Sequence, residues 1–141
     1  MMSFRYLENI ALAEAAFEAE GKDLRKLFTS CAEAFIDTSV DPSSVKPVIK
    51  KHIEIKGKNV EDLLFNFLNE LVFLKDSESF IPKKVEISEI SDNFLKAVVV
   101  GDLIKVNKGQ RLRADIKAIT MHKFKVEKTA KGWKAVVVMD I

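Results

Sequence analysis

The last residues of the sequence carry the side chains best suited to binding a metal ion. Residues 116–141 form two strand-like segments joined by a polar turn, and the second segment runs directly into Asp140 and Ile141. Chain ends usually fray, so a strand that keeps its order to the final residue suggests that the end has a function. Asp140 and the terminal carboxylate of Ile141 would place two oxygen ligands for Ca²⁺ or Mg²⁺ one residue apart. Such a site needs a third acidic group from elsewhere, and an ordinary polar chain end explains the same pattern.

The sequence contains no familiar catalytic motif. Its five glycines are not spaced to hold a phosphate, no serine is flanked by glycines, and cysteine and histidine do not cluster as zinc ligands. His52 and His122 lie far apart on predicted strands. Alternation places His122 on one face with Thr120 and Phe124, where a lone histidine is more often a structural hydrogen-bonding group than a proton shuttle. Cys31 lies on the apolar face of a predicted helix, which favours a small core residue over a nucleophile.

A short stretch near position 110 gathers positive charge. Its basic residues are Lys105, Lys108, Arg111, Arg113 and Lys117, with a single acid, Asp115, between them. Two interpretations stay open. The stretch is either a solvated loop or a docking patch for phosphate or for an acidic protein face.

Composition limits the class of protein. The 141 residues are enough for one domain with a real core, nearly half are apolar, and the net charge is only +2. Binding to nucleic acid through bulk electrostatics is therefore not indicated. One cysteine suits a reducing compartment, and no segment is apolar enough to span a bilayer. We expect a cytoplasmic protein without membrane association, while the oligomeric state stays open.

Hydrophobic periodicity predicts two helices. Asp23 can cap the first, which carries the apolar stripe Leu24, Leu27, Phe28, Cys31, Ala34 and Phe35. Asn59 can cap the second, which runs from about 60 to 74 and is apolar over most of its circumference. Residues 12–20 are ambiguous, because their alanines and glutamates favour a helix by propensity. The even spacing of Glu14, Glu18 and Glu20 instead favours a strand with one wet face.

The rest of the chain is predicted to form strands. They cover residues 45–56, 80–90, 94–105, 114–127 and 133–140, and Pro47 places the first of them at a sheet edge. The predicted fold class is α+β, with two helices packed on a largely antiparallel sheet and residues 1–141 forming a single domain.

Several of these segments together resemble the archease family, over nearly the whole chain. The similarity is strongest in residues 117–122 (Lys-Ala-Ile-Thr-Met-His), in the closing Val-Met-Asp-Ile, in residues 21–28 and in the leucine-rich residues 63–71. The resemblance implies that residues 12–20 form a strand, and the spacing of the glutamates agrees.

The resemblance also implies a metal site. The family binds a divalent cation through an N-terminal Asp, the penultimate Asp and the terminal residue, which here are Glu14, Asp140 and Ile141. Glu14 takes the place of the family's Asp, since the His-Thr-Ala-Asp segment aligns with residues 11–14 when counted back from Gly21. Ca²⁺ is the first expectation for the cation, with Mg²⁺ or Mn²⁺ as alternatives. The sequence departs from the family further at Met121 and near Gln110, where the family has Tyr and His.

The function implied by the resemblance is accessory and not catalytic. Archeases promote guanylylation of the active-site histidine of the tRNA-splicing RNA ligase and so restore its multiple turnover. The expected partner is the catalytic subunit of that ligase, with any contact to tRNA being indirect. An RNA-binding or chaperone-like module, or a metal-dependent phosphoesterase, are the alternatives.

Overall fold

The chain alternates between helices and strands in an order close to the predicted one. A computed structural model describes residues 3–8, 13–105 and 108–141. Within these ranges the elements are β1 (Phe4–Leu7), β2 (Glu14–Gly21), α1 (Leu24–Ser39), a 3₁₀ turn (Pro42–Ser44), β3 (Ile49–Lys56), α2 (Val60–Glu78), β4 (Phe80–Ile90), β5 (Phe94–Leu103), β6 (Ala118–Thr129) and β7 (Gly132–Asp140).

The strands form two sheets and not the one sheet that was predicted. The first has the order β1-β2-β7-β6 and the second has the order β3-β5-β4. Every neighbouring pair is antiparallel. The α+β class is therefore confirmed, as is the edge position of β3. Strand pairing joins residues far apart in sequence, so local patterns did not reveal that the strands divide into two groups.

Both helices contact both sheets, and the buried side chains of the helices and sheets form the core. α1 contacts β1, β2 and β7 of the first sheet and β4 of the second, while α2 contacts β6 of the first sheet and all three strands of the second. The Phe28 ring of α1 and the Phe67 ring of α2 have centroids 5.8 Å apart, and both side chains are fully buried. Cys31 is also fully buried, as its position on the apolar stripe predicted.

The two helices begin in the same way. β2 leads into α1 through Gly21, Lys22 and the N-cap Asp23, and β3 leads into α2 through the matching residues 57–59. Both cap side chains accept a hydrogen bond from the backbone three residues later. A Cβ on Gly21 would lie 2.2 Å from the backbone nitrogen of Leu27, and a Cβ on Gly57 would lie 2.5 Å from that of Leu63. Each strand therefore reaches its helix at a distance that only glycine permits.

β2 is a strand although its composition favours a helix. Phe17 and Ala19 are completely buried in the core, whereas Glu18 is less buried and forms ion pairs with Arg5 of β1 and Lys134 of β7. Burial of one face and ion pairing on the other outweigh the helix propensity of alanine and glutamate. Residue 12, the start of the predicted element, lies outside the described ranges.

The boundaries of several elements differ from the predictions. β3 begins at Ile49 and not at residue 45, because the 3₁₀ turn and Pro47 occupy the preceding positions. α2 continues four residues beyond the predicted end, to Glu78, and stops where Ser79 adopts a positive φ of 51°. Strand β6 begins at Ala118, four residues later than predicted.

An irregularity in β6 changes which face His122 occupies. The register to β7 shifts between Thr120 and Lys125, and Lys123 has a φ of 58°. Phe124 is buried while His122 is exposed, so the two do not share a face as strict alternation predicted. Among the described helices, none is long and apolar enough to cross a membrane.

Candidate functional site

The three residues predicted to bind a metal lie side by side at one end of the first sheet. Glu14, at the start of β2, pairs directly with Asp140, at the end of β7. Asp140 pairs on its other side with Ala118 of β6. The backbone N–H of Ile141 donates to the carbonyl oxygen of Ala13 at 2.9 Å, so backbone pairing continues to the last residue of the sequence.

The hydrogen-bond pattern places Glu14 and Asp140 directly opposite each other. Because Ala13 and Ile141 form a hydrogen-bonded position, the neighbouring Glu14–Asp140 position is a non-hydrogen-bonded one, where Cα atoms are about 4.5 Å apart. Side chains of directly opposed residues project from the same face of a sheet, and opposed like charges are destabilising. Within the described ranges, no lysine or arginine comes within 4.0 Å of either carboxylate. In the described part of the chain, this pair of carboxylates therefore has no ion-pair partner.

Glu14 and Asp140 are not joined by a third ligand of the commonest types. Among the described residues there is no group of three or more His, Cys, Asp or Glu side chains arranged to hold a metal ion. The predicted third ligand is a main-chain oxygen of Ile141. The position that aligns with the family histidine, Ala11, lies outside the described residues.

The basic stretch near position 110 is largely neutralised within the molecule. Three of its five basic side chains form ion pairs, namely Lys108 with Asp102, Arg111 with Asp41 and Arg113 with Asp37. Hydrogen bonds from Arg111 lower the pKa of the Asp41 carboxyl to about 2. In the same stretch, the Asp115 carboxylate and the carbonyl of Ile116 accept hydrogen bonds from Lys75 of α2. These contacts bind the segment to the helices and leave less free charge for a docking patch.

A second site was not predicted from the sequence. A cavity of about 860 Å³ lies at the N-terminal end of α1, between the end of β2 and the β6–β7 turn. Lys22, Arg25, Lys131 and Trp133 are among its lining residues. They come from separate segments and form no sequence motif; the only local signal was the pair of basic residues in the first turn of α1.

Comparison with known proteins identifies the family. The family model described as the Archease protein family matches residues 4–141. The chain belongs to the archease family. It is 40% identical to the protein archease of Archaeoglobus fulgidus, covering 99% of this chain and 100% of that one. It is 31% identical to the protein archease of Methanothermobacter thermautotrophicus, with both chains fully covered.

Two solved structures are similar in fold. A solution structure of a protein from Methanobacterium thermoautotrophicum matches with a TM-score of 0.80 and 29% identity, covering all of both chains. A crystal structure of an archease from Thermotoga maritima, described as a possible chaperone, matches with a TM-score of 0.67 and 21% identity. It covers 96% of this chain and 97% of that one, and shows similarity of fold alone.

Proposed function

We propose that this protein activates the tRNA-splicing RNA ligase in the cytoplasm and performs no catalysis of its own. Membership of the archease family supports the proposal, because the family resemblance implies this role. The protein would promote guanylylation of the ligase's active-site histidine and so allow repeated rounds of ligation in tRNA processing. Its direct partner is then the catalytic subunit of the ligase, and contact with tRNA is indirect.

The observation that carries the proposal is the pairing of Glu14 with Asp140 beside Ile141. We propose that these residues bind a divalent cation, with Ca²⁺ first and Mg²⁺ or Mn²⁺ as alternatives. Two side-chain carboxylates and one main-chain carboxylate supply the hard oxygen ligands that these ions require, and water completes the coordination. The cation would offset the repulsion between the opposed carboxylates and fix β2 to the end of β7, so that the ligase meets an ordered surface.

The test is RNA ligation by the cognate ligase under multiple-turnover conditions, with and without a trace of this protein. We expect several turnovers per ligase only when the protein is present, at amounts well below those of the ligase. The Asp140→Asn variant should lose the stimulation. Glu54→Gln, which changes an exposed glutamate on β3 of the other sheet, should keep it.

Each other outcome points to a different function. A ligase that stays at about one turnover with the protein present would reject the activator role. Direct RNA binding whose affinity falls steeply with salt would then favour an RNA-binding module. Hydrolysis of a generic phosphate ester, abolished by chelator, would favour a metal-dependent phosphoesterase.

A further inference from the structure

The cavity at the N-terminal end of α1 has a local excess of positive charge. Five basic side chains line it, Lys22, Arg25, Lys26, Lys131 and Lys134, against two acidic ones, Glu20 and Glu33. The local excess of three positive charges exceeds the net +2 of the whole chain. A cleft lined by one sign of charge focuses the field and attracts an oppositely charged ligand.

Most of these cations have no carboxylate partner. Within the described residues, Lys22, Lys26 and Lys131 form no ion pair, and Lys134 reaches only Glu18, at 3.4 Å. The Arg25 guanidinium donates to the neutral carbonyl oxygens of Ile87 and Ser88 at 3.2 Å each, which positions it without cancelling its charge. Burial raises the pKa of Glu33, one of the two acidic residues in the lining.

The charges in the first turn of α1 oppose the helix dipole. Carboxylates are favoured at a helix N-terminus, and α2 follows that rule with Glu61 and Asp62. α1 has the carboxylate of its N-cap, Asp23, but its first turn has no acid and carries Arg25 and Lys26 instead. Two positive charges in the first turn are unfavourable for the dipole, and an anion bound beside them would offset this.

Ser30 also lines the cavity. The residue is mostly buried, with an exposed fraction of 6%, and its hydroxyl has no hydrogen-bond partner among the described residues. Because no side-chain polar atom in the described residues is both fully buried and unpaired, this hydroxyl is open to solvent in the cavity. It is therefore available to bond to a molecule there.

Two walls of the cavity pack closely against each other, and one of them is aromatic. A Cβ on Gly132 would lie 2.3 Å from the carbonyl oxygen of Gly21, so the β6–β7 turn and the end of β2 are in close backbone contact. Trp133 contributes its indole to the cavity and also lies 5.7 Å from the Lys128 ammonium. Aromatic side chains stack on nucleobases.

We propose that this cavity binds a nucleotide, with its phosphates on Lys22, Arg25 and Lys131 and its base against Trp133. The volume of about 860 Å³ is within the usual range for a small-molecule site. A cleft of this volume matches a single nucleotide, whereas a continuous strand of RNA needs a groove that follows its backbone. The site is separate from the cation site, because Gly21 and Trp133 pair at the opposite end of the β2–β7 ladder from Glu14 and Asp140.

Calorimetric titration of the full chain in chelator tests the proposal, with ATP, GTP, inorganic tripolyphosphate and adenosine as probes. Chelator removes any contribution from the cation site. We expect saturable binding of a nucleoside triphosphate, at least about tenfold weaker binding of tripolyphosphate and little binding of adenosine. The single tryptophan, Trp133, should report the same binding through its fluorescence.

Lys22→Ala is the diagnostic variant and Lys58→Ala is its matched control. Both lysines follow a glycine and precede a helix N-cap, but only Lys22 lines the cavity. Loss of a charged contact should weaken nucleotide binding about tenfold or more in Lys22→Ala and leave Lys58→Ala unchanged. Ser30→Ala, a second variant with little risk to folding, should weaken it as well.

Three results would overturn the proposal. One is the absence of saturable nucleotide binding at millimolar concentration, and another is binding that Lys22→Ala does not change. The third is tripolyphosphate binding as tightly as the triphosphates, which would reduce the site to one for a simple anion. A single-stranded RNA oligonucleotide that binds at least tenfold tighter than either nucleotide would assign the cavity to RNA instead.

Discussion

Glu14 and Asp140 lie directly opposite each other on β2 and β7, although more than a hundred residues separate them in the chain. Neither residue has a basic side chain within ion-pair distance in the described part of the molecule. Folding therefore brings together two acidic residues that lie far apart in the sequence, and this pair is the basis of the proposed cation site.

Replacing Asp140 by Asn should show whether a bound cation contributes to the stability of the fold. In chelator, we expect the variant to be as stable as the wild type or more stable by up to about 1 kcal/mol, because opposed like charges are removed. Addition of Ca²⁺ should raise the melting temperature of the wild type and not that of the variant. Thermal unfolding with chelator and with Ca²⁺ measures both effects.

A second change tests the role of Ile141. Adding one glycine after it moves the main-chain carboxylate away and should also abolish stabilisation by Ca²⁺, whereas Glu54→Gln should retain it. If either altered chain still melts higher in Ca²⁺ than in chelator, the proposed ligand set is incorrect.

Tyr6 should titrate far above its ordinary range. Desolvation of its partly buried hydroxyl raises its pKa to about 12, although 45% of the residue is exposed, and the hydrogen bond that the hydroxyl donates to Asp37 at 2.7 Å acts in the same direction. Since the folded state holds the proton more tightly than the unfolded state, the stability contributed by Tyr6 is complete below pH 10. It should be lost as the pH rises from about 10 to about 12.

Absorbance at 295 nm measures this pKa directly, because Tyr6 is the only tyrosine. Asp37→Asn should lower the midpoint, since the Asp37 carboxylate raises the pKa. Circular dichroism recorded at each pH shows whether the chain is still folded. A midpoint near 10 in the folded protein would contradict the burial and hydrogen bonding described here.

Cys31 should resist modification while the protein is folded. Burial raises the pKa of its thiol, and its side chain is fully enclosed in the core. Reaction with a disulfide reagent therefore requires unfolding, and should be at least about a thousandfold slower than in denaturant if stability exceeds about 5 kcal/mol. The single cysteine makes the kinetics easy to interpret. Rapid reaction under native conditions would mean that α1 opens locally.

Gly21→Ala should be strongly destabilising. The new Cβ would lie 2.2 Å from a backbone nitrogen of α1, where no flexible side chain can move aside. We expect a loss of roughly 3 kcal/mol in urea unfolding. Gly109→Ala is the control: a Cβ there meets nothing within 4 Å and has only an unfavourable φ of 72°, which costs roughly 1 kcal/mol. Equal stability of Gly21→Ala and the wild type would refute the close contact.

Local patterns predicted the helices well because the residues that determine a helix lie within it or next to its ends. The caps Asp23 and Asn59 and the apolar stripe of α1 lie within a few residues of the positions they determine. The strand β2 was harder, since its alanines and glutamates favour a helix until Phe17 packs into the core and Glu18 pairs with neighbouring strands. The resemblance to archeases corrected that prediction.

The site was predictable only in part, because its residues come from distant parts of the chain. Asp140 stood out by its position, but its partner Glu14 came from the family resemblance and not from spacing. The basic residues at 111 and 113 suggested a docking patch, and the structure pairs them with Asp41 and Asp37 on a distant part of the chain. The cavity beside α1 gave no signal in the sequence because its lining residues meet only after β2, α1 and the β6–β7 turn have assembled.

The strand order of the first sheet has a consequence for synthesis on the ribosome. β2 lies between β1 and β7, so one of its edges stays without a partner until residues 132–140 have emerged. The second sheet and both helices need only residues 24–103. We therefore expect nascent chains to assemble that part first and to expose the free edge of β2 meanwhile, which makes unfinished chains the form most prone to aggregation.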